Sequence, residues 1–92
     1  MITVIKGEKR YIGMQVIRRR SSQPFTIEQA SYNVADIQQG VCEIHQNDKE
    51  VFFLLDTTVE DFEKGLKYLS DFTVIIEGMD KILKGKVLIN VV

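Results

Sequence analysis

Few side chains in this 92-residue chain are of types that make or break bonds, and their spacing prepares none of them for that work. His45 is the sole histidine, so there is no imidazole pair for a metal or a proton relay. Cys42, the sole cysteine, lies three residues before it. A nucleophilic Cys–His arrangement would need an orienting carboxylate brought in by folding, and a structural zinc site needs a fuller ligand set than one Cys and one His. Cys42 and Ile44 alternate on an inward-facing parity, where a free thiol behaves as a small hydrophobe. Glu43 and His45 take the outward parity. Asp56, Glu60, Asp61 and Glu63 cluster around a corner rich in lysine, which reads as a solvated charged loop and not as a facing acid–base dyad. The sequence therefore predicts no catalytic residue, no metal ligand and no cofactor. Only a deep pocket gathering His45 with two carboxylates would revive an enzyme.

Arg18-Arg19-Arg20 is the one strong charge run. Arginines pair bidentately with carboxylates or phosphates, but neighbours on a strand point to opposite faces, so the run makes no continuous patch. No aromatic platform is interleaved with it, as single-strand binders require. Contact with an acidic partner, or simple solvation, is expected ahead of nucleic-acid binding. The six glycines are dispersed and form no phosphate loop or dinucleotide fingerprint.

The elements that would carry these residues are strands. The length suits one domain over residues 1–92, and a chain of this size buries about 60–65% of its unfolded surface. Hydrophobic residues at 45% and charged residues at 27% are globular values, and a net charge of −1 gives no whole-chain footprint for nucleic acid or an anionic membrane. A single cysteine points to a reducing compartment or an intracellularly assembled particle. The N-terminal residues lack the pattern of a signal peptide. The longest apolar run, Val51–Leu55, is five residues, against the ~20 of a membrane helix. The expected chain is soluble and not exported on its own.

Thr3-Val4-Ile5 predicts a short first strand. Ile12, Met14 and Val16 alternate with Gly13 and Gln15, the period of a half-buried strand. Phe25 and Ile27 share one parity whereas Ala30, Tyr32 and Val34 share the other, so a bulge or sheet crossing is predicted near Glu28–Gln29. Asp36 to Gly40 reads as a loop, and Gln46-Asn47-Asp48-Lys49 as a four-residue hairpin loop before the Val51–Leu55 strand. Phe72–Ile76, a Gly78–Lys81 turn and Val87–Val92 close the chain. About seven strands with turn signals every ~8–12 residues describe a sandwich. Val59, Phe62, Leu66 and Leu69 follow helical spacing, and Thr57 with Glu60 could form a capping box. Gly65 costs about 1 kcal/mol inside a helix. One helical turn over 59–64 is predicted, a helix continuing to Leu69 being the alternative. Tyr68, at the head of a strand after this corner, is placed to return its hydroxyl to nearby backbone, which pins the corner in immunoglobulin-like sandwiches.

Ile5-Lys6-Gly7-Glu8, the Ile12–Arg18 strand and Gln23-Pro24-Phe25-Thr26-Ile27 followed by Ala30 resemble the opening of the immunoglobulin-like modules at the start of phage upper baseplate proteins. Asp56-Thr57, Gly65 and Tyr68, Asp71-Phe72-Thr73-Val74 and Val87–Val92 are similar to their second half. Tyr68 follows Gly65 by three residues where the family has two, and the corner here is longer. The resemblance implies a stand-alone sandwich in a virion or prophage, with no cofactor and no catalytic residue.

The expected fold is thus all-β: a single immunoglobulin-like antiparallel sandwich of about seven strands with one helical turn at 59–64. The expected function is a non-enzymatic structural or adaptor protein of a phage particle that docks to other virion subunits or to itself as a homo-oligomer, without nucleic acid or membrane. The alternative is a cytosolic regulatory module meeting an acidic protein through Arg18, Arg19 and Arg20. The strand edges Thr3–Ile5 and Val87–Val92 are expected to supply the contact, through Val87, Ile89 and Val91, because the last strand is apolar on both faces.

Overall fold

The structure, a computed structural model, describes residues 1–17, 24–78 and 82–92. Eight strands make up the described elements: β1 (Ile2–Val4), β2 (Lys9–Gln15), β3 (Ile27–Val34), β4 (Gln38–Val41), β5 (Glu43–His45), β6 (Glu50–Asp56), β7 (Lys67–Ile76) and β8 (Ile82–Val91). They form a five-stranded sheet in the order β1-β8-β7-β3-β4 and a three-stranded sheet in the order β2-β6-β5. All pairings are antiparallel except β1 with β8, which is parallel.

Alternation along each strand builds the shared core. Ile12 and Val16 near β2, Val51, Phe53 and Leu55 of β6, and Phe72, Val74 and Ile76 of β7 are all buried and belong to one cluster. The layers meet through rings: Tyr32 of β3 stacks on Phe53 of β6 with centroids 3.7 Å apart and planes within 5°, and Phe53 tilts against Phe72 at 5.7 Å. Such a pair contributes about 0.5–1.5 kcal/mol beyond its buried area. Cys42 lies in this core, and burial pushes its thiol up to about 11, which leaves it a protonated packing group at neutral pH.

The parity switch in β3 is a register shift between Ile27 and Gln29, so that Ile27 and Ala30 both reach the core. The Asp36–Gly40 loop of the sequence reading is instead mostly strand: β4 pairs with β3 from Gln38 to Val41 and adds to the expected strand count. The connecting turn holds Ala35 and Asp36 at φ 49° and 61°. Tight hairpins need positive φ of this kind, and here the Asn33 amide braces it, donating to Asp36 Oδ1 and accepting from Asp36 N–H.

The second correction concerns the corner. Among the described residues there is no helix. Residues 59–66 make consecutive tight turns, Phe62 N–H donating to the Val59 carbonyl and Leu66 N–H to that of Glu63. Of the helically spaced apolar set only Phe62 is buried; Val59, Leu66 and Leu69 are exposed. Thr57 caps nothing helical. Its hydroxyl is buried and donates to the Glu8 carbonyl, tying the corner to the β1–β2 turn. The Tyr68 hydroxyl donates to the Asp61 carbonyl and accepts from Glu63 N–H, while its ring meets Phe62 edge-on at 5.2 Å. One side chain thereby fixes both ends of the turn and its buried anchor.

Candidate functional site

The side chains with chemical potential do not converge. Cys42 is buried and His45 exposed, its ring edge-on to Phe52 at 4.6 Å on the outer face of the three-stranded sheet. Asp56 accepts hydrogen bonds from the backbone and hydroxyl of Thr58, which hold its carboxyl below the usual value, with Lys9 and Lys6 adding in the same direction. Glu60, Asp61 and Glu63 are exposed. Among the described residues no group of three or more His, Cys, Asp or Glu side chains gathers to hold a metal, and no helix is long and apolar enough to cross a membrane.

Of the residues expected to contact a partner, Arg18, Arg19 and Arg20 lie outside the described residues. Ile89 and Val91 are fully buried and Val87 is half-buried against the core. Alternation along β8 turns those three side chains towards the interior, and along its last residues β8 is not a free edge: β1 covers it through Ile2–Ile89, Thr3–Asn90 and Val4–Val91. The edges Thr3–Ile5 and Val87–Val92 largely satisfy each other, and Val92 N–H donates to the Val4 carbonyl.

Two surfaces remain uncovered. On the outer face of the three-stranded sheet, Tyr11 (61% exposed), Phe52 and Leu54 (41% exposed) are cross-strand neighbours, and Tyr11 meets Phe52 edge-on at 5.6 Å. Gly13 stands opposite Phe52, and a methyl group there would press on the Phe52 Cβ at 3.3 Å. The signal for this patch was present in the Val51–Leu55 run, since alternate members of a strand must face outward.

The second surface is a flank. β1 pairs with β8 only as far down as Ile89, so among the described residues no strand pairs the outer edge of Ile82–Leu88. Beside that edge lies a groove of about 240 Å³ lined by Met14, Val16, Ile17, Val74, Leu83 and Lys84. Met14 crosses from β2 to lie against Gly85, where a Cβ would fall 2.1 Å from its sulfur.

The opposite flank is sealed by two glutamines. Gln38 Nε2 donates to the Leu54 carbonyl at 2.8 Å and to the Tyr32 hydroxyl at 3.0 Å, and its Oε1 accepts from Asp56 N–H at 3.0 Å. Gln46 likewise pairs with both backbone groups of Ile27, at 3.1 and 2.6 Å. Each amide imitates a strand residue on an edge that has lost its partner.

The fold and its surfaces define a two-sheet β-sandwich whose exposed features are flat faces and edges. No family model matches the chain, and no curated protein matches it. Among solved structures it is similar to the endo-β-1,4-mannanase from Thermotoga petrophila, with a TM-score of 0.66 and 20% identity. The likeness covers 99% of this chain but 17% of the mannanase, and at this identity it shows the fold alone.

Proposed function

We propose that the protein is a non-enzymatic structural or adaptor module of a phage or prophage particle, working through protein–protein contact. Its topology supports an immunoglobulin-like reading. β2, β6 and β5 can take the places of strands B, E and D, while β8, β7, β3 and β4 take those of G, F, C and C′. Tyr68 then takes the corner position near the start of strand F, with its hydroxyl returned to the backbone. The phage setting rests on the sequence resemblance.

The observation that carries the assembly reading is the Tyr11, Phe52 and Leu54 patch. Contiguous exposed apolar surface on a small sandwich marks a contact site, and tyrosine is enriched where contacts are strongest. Light scattering at micromolar concentration, alone and mixed with the products of neighbouring genes, is expected to show a complex. Tyr11→Ser with Leu54→Ser should dissolve that complex while far-ultraviolet dichroism stays unchanged, because neither side chain is in the core. A strict monomer that ignores its neighbours' products would defeat the proposal.

A further inference from the structure

The open flank combines three features: a stretch of β8 whose outer edge no described strand pairs, an apolar trough beside it, and positive charge along its rim. The backbone comes first. Val91 N–H and C=O bond towards Leu66 and Gly65, whereas those of Val92 bond towards Val4 and Lys6. Alternation along an antiparallel pair therefore aims the N–H and C=O groups of Ile82, Lys84 and Lys86 at the open edge. These groups lie in line with β1 and begin where its pairing stops.

Side chains of an added strand would alternate between two environments. Inward ones would meet Leu83, Gly85 and the Met14, Val16 and Ile17 wall, an apolar setting in which Ile17 is still 69% exposed. Outward ones would run beside Lys84 and Lys86. Lys86 has Asp71 as its cross-strand neighbour on β7, whereas Lys84 has Thr73, so positive charge remains along this rim. Lysines on an edge strand are a usual defence against pairing with a like edge. Two copies of β8 laid side by side would set lysine against lysine, which is unfavourable. The same charges favour a strand that presents carboxylates.

We propose that this flank is a strand-addition site, taking an extended segment of a partner protein in which apolar side chains alternate with acidic ones. The partner's backbone pairs with Ile82, Lys84 and Lys86, its apolar residues fill the trough, and its carboxylates meet the lysine rim. This deepens the assembly reading by naming a second surface and the chemistry of its occupant.

The test is a titration of the isotopically labelled protein, followed by amide and methyl nuclear magnetic resonance. The probe is an acetylated, amidated heptapeptide alternating glutamate and valine, and the control has lysine in place of glutamate. The glutamate peptide should shift the Ile82, Lys84 and Lys86 amides and slow their exchange, and should move the Met14 and Leu83 methyl signals. Lys84→Glu with Lys86→Glu should weaken it roughly tenfold, and both positions are exposed, so the cost to folding is confined to the like charge set opposite Asp71. No response to millimolar glutamate peptide, an equal response to the lysine peptide, or a response confined to β4 would each overturn the proposal. A protein that forms the Tyr11-dependent complex yet ignores the peptide keeps the assembly reading and loses this one. Peptide binding by a strict monomer does the reverse.

Discussion

The two flanks of the sandwich meet the same difficulty with different chemistry. Sheet edges expose backbone donors and acceptors that recruit other strands. On the β4–β5 side the chain fills gaps in its own pairing, with the Gln38 amide spanning Leu54 and Asp56 of β6 and the Gln46 amide gripping Ile27 of β3. On the β2–β8 side no described strand pairs the edge along Ile82–Leu88, which carries Lys84 and Lys86. The first flank spends side chains on stability. The second keeps its edge accessible and filters by charge, so substitutions on the two sides should affect different properties.

The largest effect is expected from breaking the seal. Gln38→Ala removes the partner of the Leu54 carbonyl and the Asp56 N–H, which lie near the surface, a loss of about 1–2 kcal/mol in denaturant unfolding. Cys42 connects β4 to β5 on that flank and can report it. Its buried thiol, pushed up to about 11, should alkylate slowly in mildly alkaline solution and faster in the Gln38→Ala protein.

A smaller effect belongs to the end of β6, next to the same amide. The Asp56 carboxyl is held below 3.8 in the folded chain by Thr58, so the folded state binds this proton less readily than the unfolded state. Its contribution is therefore complete above the ordinary aspartate range and fades as pH falls through the lower folded value. Asp56→Asn should lower the neutral plateau and flatten the acid limb, so that the two proteins converge at low pH.

The smallest effect is expected on the open flank. Lys84→Glu with Lys86→Glu should change unfolding stability by no more than about 1 kcal/mol, most of it from the like charge placed opposite Asp71, even though it alters which strands the edge accepts. A large loss there would erase the distinction between the flanks.

Much of the strand framework could be read from alternation alone. The Ile12–Val16 period, the parity switch in β3, the Gln46–Lys49 hairpin loop and the Tyr68 corner are all local, and each is present. The misreadings have local causes too. β4 is an exposed edge of Gln, Gln, Gly and Val with no apolar rhythm, and its turn uses Ala35 and Asp36 where Asn-Gly would have given the signal. The Val59–Leu69 spacing imitated a helix because a folded-back corner also brings one apolar residue, Phe62, inward. Ile89 and Val91 face the core beside an edge that β1 covers, a pairing between the two ends of the chain that no local period marks. The glutamine seals join residues 16 to 19 positions apart in sequence, and a solvent-type residue at such a distance carries no periodic mark.

The extra residue in β3 has an evolutionary corollary. Ile27, clasped by the loop amide, and Ala30 can both point inward only because the strand is counted differently on either side of position 28. A single insertion or deletion between 29 and 34 would turn Tyr32 away from Phe53 and present the ring to water. Homologous sequences should accordingly keep a constant count across those positions.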